Sequence, residues 1–373
     1  MDRRQGARRV KAIYHALESN PKATVPDVVL FHNDTEPHVD LGFFYVTGLV
    51  SGIYEGSTAV CRPNGRVDGI VSVLEESSAR REGGFKIHVP RRRQKEGDLL
   101  KRLVGRARTV GINASELTYA GFQRLKKTLP KAKFVDVSSA VLEARMIKDA
   151  AEFEAIEEAA RIGSRVAEKI PSWLSVGIKE SEVAAEMAYA GGRMGAQGNS
   201  FDTIAAFGAN AAEPHYTDLS ARLKRNQFTL FDFGFRYNRY CSDITRTFYF
   251  GSPKRKDRRM YDTVRRAQDA ALDLVRPGAL GKVVHDAAEK VIDATEFRHT
   301  FIHGLGHGLG LAVHDGGGLN SRSKLELKPG MVVTVEPGVY LRGYGGVRIE
   351  DDVLITQRGH RMLTTATRDF LTV

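Results

Sequence analysis

Two periods of apolar spacing alternate along this chain, and the places where they switch divide it. In the first third, short apolar runs bounded by turn residues predict strands at 28–31, 43–46, 58–61 and 67–74, with a turn at Pro63-Asn64-Gly65 before the last. Apolar residues at helical spacing predict helices over 11–19, 99–107 and 115–129, the last stopped by Pro130. Strands at 109–112 and 134–137 complete a compact α/β region without a chemical motif of its own.

The pattern changes near 138–148, so domains of 1–140 and 141–373 are expected. A helix over 149–169, ended by Pro171, and a second over 181–194 open the larger part. Strands at 228–234 and 244–250 then bracket a short connection. Helices over 256–275 and 282–295 follow, and the chain closes with strands at 332–335, 339–341, 347–349 and 353–355. The order of elements predicts an α+β fold for this part.

Composition narrows the function classes. At 373 residues the chain is long enough for two cores. It has no run of about 18 apolar residues, so a transmembrane helix is not expected. The segment Met1-Asp2-Arg3-Arg4-Gln5-Gly6 is charged and leads into no apolar core, unlike a secretory signal. Cys61 and Cys241 are far apart, which fits a cytoplasmic protein without a disulfide. The net charge of +11 comes from short basic runs: Arg91-Arg92-Arg93, Lys254-Arg255-Lys256 with Arg258 and Arg259, and 222–225. No stacking-aromatic pattern accompanies them, so they read as solvated faces rather than a nucleic-acid surface.

Chemistry concentrates in the second part. Asp232, Asp243, His307, Glu336 and Glu350 each sit in a motif that can aim the side chain. The motifs are Asp232-Phe233-Gly234, Ser242-Asp243-Ile244-Thr245-Arg246-Thr247, His303-Gly304-Leu305-Gly306-His307, Glu336-Pro337-Gly338 and Arg348-Ile349-Glu350-Asp351. Buried carboxylates must be protonated, paired or metal-bound. Four carboxylates match the charge of two divalent cations, and strands hold ligands rigidly. Oxygen donors with one imidazole suit manganese or cobalt, with zinc or ferrous iron as alternatives, and do not resemble a thiolate zinc site. His215, His303 and His314 lie near this set in the sequence and can serve substrate binding and proton transfer.

At these residues the chain resembles the pita-bread metallopeptidases, the superfamily of methionine aminopeptidase, aminopeptidase P and prolidase. Flanking segments agree as well: Phe201-Asp202-Thr203-Ile204, Asn210-Ala211-Ala212-Glu213-Pro214-His215, Leu327-Lys328-Pro329-Gly330-Met331 and Gly346-Val347-Arg348-Ile349-Glu350-Asp351-Asp352. The entry Arg145-Met146-Ile147-Lys148-Asp149 with Glu152 resembles the proline-directed branch, and the first part resembles a creatinase-type N-terminal domain. The resemblance implies a pita-bread catalytic domain preceded by that smaller α/β domain. It implies that Asp232 binds one metal, that Asp243 and Glu350 bridge two, and that His307 and Glu336 complete the second. It also implies substrate-side roles for His215 and His314, a place in the catalytic machinery for Arg348 beside the ligand carboxylates, and a supporting hydroxyl on Thr245. His314 is followed by Asp315-Gly316-Gly317 where the family more often has Glu-x-Pro, which bears on the pocket rim and not on the metals.

The expected activity is hydrolysis of the bond between an N-terminal residue and proline, in dipeptides first and in longer peptides as the alternative. A homodimer is implied. Three other readings fit less well. A metal-free amidinohydrolase of the creatinase type and a non-catalytic pita-bread binding module would have lost ligands, and all five are present. A methionine aminopeptidase would lack the first domain.

Overall fold

The computed structural model describes residues 3–91 and 95–373. Met1 and Asp2 of the charged N-terminus, and Arg92 and Arg93 of the first basic run, lie outside the described residues. The chain divides into two compact units, Met1–Arg145 and Met146–Val373. The stretch around the division is helical, Ser138–Met146.

The first unit is built on a mixed six-stranded sheet. Its strands are β1 (Val28–His32), β2 (Thr58–Cys61), β3 (Val67–Ile70), β4 (Lys86–His88), β5 (Thr109–Ile112) and β6 (Lys133–Asp136). They lie in the order β4-β3-β2-β1-β5-β6, with β1 parallel to β5 and antiparallel to β2. Leu99, Leu100 and Leu103 of the helix Glu96–Val104 pack with Val28, Leu30, Val60 and Val110.

Two expectations fail in this unit. The segment read as a strand at 43–46 is a helix, Leu41–Thr47. Asp40 caps it by accepting from the Gly42 amide, and Gly48 ends it at φ 64°. Residues 42–47 are all buried, and an apolar run buried all round carries no periodicity to separate helix from strand. The strand expected over 67–74 stops at Ile70, because the Ser72 hydroxyl accepts from the Leu74 amide at 3.1 Å and turns the chain. A helix, Glu76–Glu82, follows.

The second unit has two helix–sheet layers. One packs the helices Ala150–Ala167 and Glu180–Arg193 on β7 (Ile204–Phe207), β8 (Gln227–Phe233) and a later partner strand, through Ile162, Val166, Val183 and Met187 against Phe231 and Phe233. Asp149 and Glu152 form the capping box that starts the first of these helices. Pro171 does not end that helix but sits in the first turn of another, Ile170–Trp173, where its missing N–H is harmless. A hairpin of β9 (Arg236–Tyr237) and β10 (Tyr240–Cys241) leads to the partner strand, β11 (Ile244–Phe250), giving the order β11-β8-β7.

The other layer packs the helices Arg255–Leu272 and Gly281–Asp293 on the C-terminal strands. These are β12 (Gly306–His307), β13 (Gly318–Leu319), β14 (Val332–Val335), β15 (Gly338–Leu341), β16 (Gly345–Arg348), β17 (Asp351–Ile355) and β18 (His360–Met362). Val264, Ala267, Val284 and Ala288 meet Val333, Val335, Val347 and Val353, each apolar side chain contributing about 1–3 kcal/mol by burial. Cys61 and Cys241 are both buried free thiols, one in each unit. Among the described residues no helix is long and apolar enough to cross a membrane.

Candidate metal centre

Strand register sets the acidic residues in two pairs, and the bond from the Glu350 amide to Thr245 O joins the two groups of strands. On β8 and β11, Asp232 pairs with Thr245, so the two side chains leave the same face of the ladder. Asp243 lies two residues before Thr245 and shares that face. On the later strands, Val335 pairs with Asp351 and Gly338 with Arg348. The shared register sets Glu336 opposite Glu350 and Pro337 opposite Ile349. The Glu336 and Glu350 amides point outward, to Leu305 O at 2.8 Å and Thr245 O at 3.2 Å. The two glutamates therefore form a non-hydrogen-bonded pair, the closer kind, with both side chains on one face.

His307 reaches the same place because its strand runs antiparallel to β14 at close range. A Cβ on Gly306 would sit 2.0 Å from Thr334 O, so only glycine permits this approach. The His307 amide donates to Thr334 Oγ1 at 3.0 Å, and that hydroxyl lies 3.3 Å from Glu336 Oε1. Gly234 performs the same service beside Asp232, where a Cβ would meet Ser242 O at 1.8 Å.

These side chains line a cleft of about 700 Å³ with Ser200, Phe201, Ile204, Pro214 and Val313. Asp232, Asp243 and Glu350 are buried. His307 Nε2 lies 3.6 Å from Asp243 Oδ2 and 3.5 Å from Glu336 Oε1. His307 Nδ1 lies 3.2 Å from Gly308 O, which can only accept, so the proton sits on Nδ1 and Nε2 carries a bare lone pair. Burial, and then His314, push the His307 pKa down to about 4, so the ring is neutral. The bare nitrogen thus faces the carboxyl oxygens of Asp243 and Glu336.

The acids oppose one another. Burial, then Glu350 and Asp232, raises the Asp243 carboxyl far above the usual range. Burial, then Glu336 and Asp232, does the same to Glu350. Glu336 is raised to about 8, by burial first and with Asp232 adding. Asp232 Oδ1 and Asp243 Oδ1 are buried and have no hydrogen-bond partner among the described residues. Donor atoms of Asp243, His307 and Glu350 lie within 4.8 Å of one another. Convergent oxygens, a lone-pair nitrogen and two unpartnered buried oxygens suit divalent cations, which would take the place of the protons that burial otherwise favours on these acids.

A hydrogen-bonded layer fixes the donors. Arg348 donates from Nη2 to Asp232 Oδ2 at 2.6 Å, from Nε to Thr245 Oγ1 at 3.0 Å and from Nη1 to Tyr340 Oη at 2.9 Å. Thr245 Oγ1 in turn donates to Glu350 Oε2 at 2.5 Å. Asp352 Oδ2 accepts from the Asp243 amide at 3.0 Å. His303 lines the cleft, but both its nitrogens are engaged: Nδ1 with Gly304 O at 2.8 Å and Nε2 with Tyr340 Oη at 2.8 Å. Burial, then Arg348, lowers the His303 pKa to about 4. The structure thus commits His303 to Tyr340 and places Arg348 on Asp232. His215 and His314 are exposed at the cleft, and His314 meets the His307 ring at 4.1 Å between centroids.

All nine candidate site residues named from the sequence, Asp232, Asp243, His307, Glu336, Glu350, His215, His303, His314 and Arg348, line one cleft, and Thr245, also named, sits behind it on Arg348. Tyr340, Thr334 and Asp352 had not been singled out. Period-two spacing held the signal for two of them, since Thr334 and Glu336, and Glu350 and Asp352, share strand faces.

Residues 154–357 match the model of metallopeptidase family M24, and residues 28–147 match that of the creatinase/prolidase N-terminal domain. The Xaa-Pro dipeptidase of Pyrococcus furiosus is 36% identical over 277 residues, covering 74% of this chain and 79% of that protein. The crystal structure of an X-Pro aminopeptidase from Thermotoga maritima superimposes with a TM-score of 0.88 at 31% identity, covering 93% of this chain and 98% of that one. An Xaa-Pro dipeptidase from Bacillus anthracis gives a TM-score of 0.89 at 29% identity, covering 99% and 100%. The chain belongs to metallopeptidase family M24 and carries the creatinase/prolidase N-terminal domain. It is a prolidase-like peptidase with the two-part fold that the motifs led one to expect.

Proposed function

We propose that this protein is a two-metal Xaa-Pro dipeptidase, with Asp232, Asp243, His307, Glu336 and Glu350 as its metal ligands. The observation that carries the reading is the convergence of Asp243, Glu336 and Glu350 on the bare Nε2 of His307 in the cleft that Asp232 also lines, with two buried carboxylate oxygens unpartnered among the described residues. Manganese or cobalt suits this oxygen-rich donor set best. When bound, the cations would supply Lewis acidity and positive charge for the developing oxyanion.

The side chains of the protein do the rest. Asp243, just before β11, and Glu350, between β16 and β17, bring carboxylate oxygens close enough together that they would hold the cations jointly. Arg348 holds Asp232 by one oxygen and directs the other into the cleft. Exposed His215 and His314 meet the peptide and orient its carbonyl; as water adds to the carbonyl carbon and the C–N bond breaks, they pass the proton the water gives up to the leaving proline nitrogen. Phe201, Ile204, Pro214 and Val313 give the ring an apolar wall. Because proline offers no backbone N–H, such a wall recognises the ring where a bond from that group cannot. The protein acts as a homodimer in the cytoplasm on this reading.

Likeness to the Thermotoga maritima enzyme supports a second reading, an aminopeptidase acting on longer peptides. Rates on Met-Pro and on a pentapeptide led by Met-Pro decide between the two. Preference for Met-Pro supports the dipeptidase, and equal rates the aminopeptidase. Equal cleavage of peptides led by Met-Ala would defeat both.

A further inference from the structure

Gln268 is a fully buried polar residue of the helix Arg255–Leu272, and it lies behind the two glutamates. Its Nε2 is 3.1 Å from Val335 O, 3.2 Å from Ile349 O and 2.8 Å from Asp351 Oδ2. Val335 immediately precedes Glu336, and Ile349 immediately precedes Glu350. All three partners are acceptors, so the amide nitrogen must face them and one of its two protons is shared. The other end is fixed too, since Oε1 accepts from Arg368 Nη1 at 3.0 Å.

The reason for this contact lies in the ladder. Ile349 N approaches Pro337 O at 3.5 Å, which marks a hydrogen-bonded pair of an antiparallel ladder. The reciprocal bond would need an N–H on residue 337, and proline has none. Ile349 O therefore loses its ladder donor just where the strand carries a candidate ligand. Gln268 supplies that donor and ties the same nitrogen to the facing strand at Val335. One amide thus spans both glutamate-bearing segments at the point where their own hydrogen bonding is interrupted.

We propose that Gln268 is a positioning residue that sets the separation of the Glu336 and Glu350 carboxylates, and through it the strength with which they hold divalent cations. The proposal rests on the reading of these glutamates as metal ligands. Arg368 belongs to the same device, because it holds the amide in the orientation that the three acceptors require. A hydrophobic residue at 268 could fill the space and pack the helix, yet it would leave Ile349 O without a donor and free the two segments to move apart.

Cobalt(II) titration of the metal-free protein, followed by calorimetry and by the visible spectrum, tests this in wild type, Gln268→Met, Arg368→Met and Glu336→Gln. Gln268→Met should bind cobalt roughly 10- to 100-fold more weakly and with shifted bands, as for other residues that orient ligands. Arg368→Met should show a smaller loss of the same kind. Wild-type affinity and spectrum in a folded Gln268→Met protein overturn the proposal. Should that variant fail to fold, wild-type binding by Arg368→Met overturns it instead. Glu336→Gln separates the two levels: if it titrates as wild type, the ligand reading itself falls, whereas loss of a binding event there beside normal binding by Gln268→Met sinks only the role of Gln268.

Discussion

Arg348 and Asp232 are joined at one oxygen only: Nη2 donates to Oδ2 at 2.6 Å, while Oδ1 is buried without a hydrogen-bond partner among the described residues. The bond decides which carboxylate oxygen is presented to the cleft. A lysine at 348 keeps the charge but not the fork that also reaches Thr245 and Tyr340. Arg348→Lys should weaken manganese binding about 10- to 100-fold. Calorimetric titration checks it, and an unchanged dissociation constant would remove Arg348 from the site.

Asp243→Ala and Glu350→Ala should each abolish binding of the metal pair, because both are proposed to serve both cations. Metal analysis after dialysis against manganese should give less than one ion per chain. Chelation of the wild-type protein should abolish peptidase activity, and manganese or cobalt should restore it. Two ions retained by both variants would defeat the assignment.

His215 and His314 are expected to act on the peptide and not on the metals. Alanine at either position should leave the metal content near wild type and lower kcat by roughly 10²- to 10⁴-fold. Wild-type turnover in either variant returns that histidine to a surface role.

Glu180 holds the loop that carries His215. Its carboxylate accepts from the Phe207 amide at 2.7 Å, Asn210 Nδ2 at 3.0 Å, Tyr216 Oη at 3.0 Å and the Ala221 amide at 2.9 Å. Glu180→Gln turns one of those oxygens into a donor that faces donors, at a cost of about 1–3 kcal/mol. Both the thermal midpoint and kcat should fall, and a kcat equal to wild type would uncouple the loop from turnover.

The first unit offers a test by pH. Burial raises the Asp40 pKa from 3.8 to about 7, against the bonds from Asn113 and the Gly42 amide. The folded state then binds the proton more tightly than the unfolded chain, so stability falls as pH rises from about 4 to 7 and is level above that. Asp40→Asn removes this dependence. Relative to the variant, wild type should lose up to about 4 kcal/mol across the window, read from hydrogen exchange of β1 amides. A constant difference between the two proteins would show that Asp40 stays charged.

Much of the site was legible because its residue types are unusual in an apolar setting and each sits beside glycine, proline or a β-branched run. Asp232, Asp243, Glu336 and Glu350 fall on or beside strands whose alternation is plain in the sequence. What supports them was not legible. Gln268 is one amide on a helix rich in charged residues, and only the ladder gap at Pro337 gives it a task. Tyr340 reads as a strand aromatic until His303 and Arg348 are seen on its hydroxyl. In the first unit, residues 43–46 were misread because burial on every side erased the period.

Gly306 carries a consequence for how this sequence can drift. The hydrogen atom in place of its side chain is what lets the histidine strand lie so close against β14. Any other residue there would push Thr334 and His307 apart in a single event, and no second substitution nearby can restore the missing space, because the clash is with backbone. Neighbouring positions can exchange one apolar group for another and repack. Position 306 has no such intermediate, so the lineage can vary the walls of the cleft while this approach stays fixed.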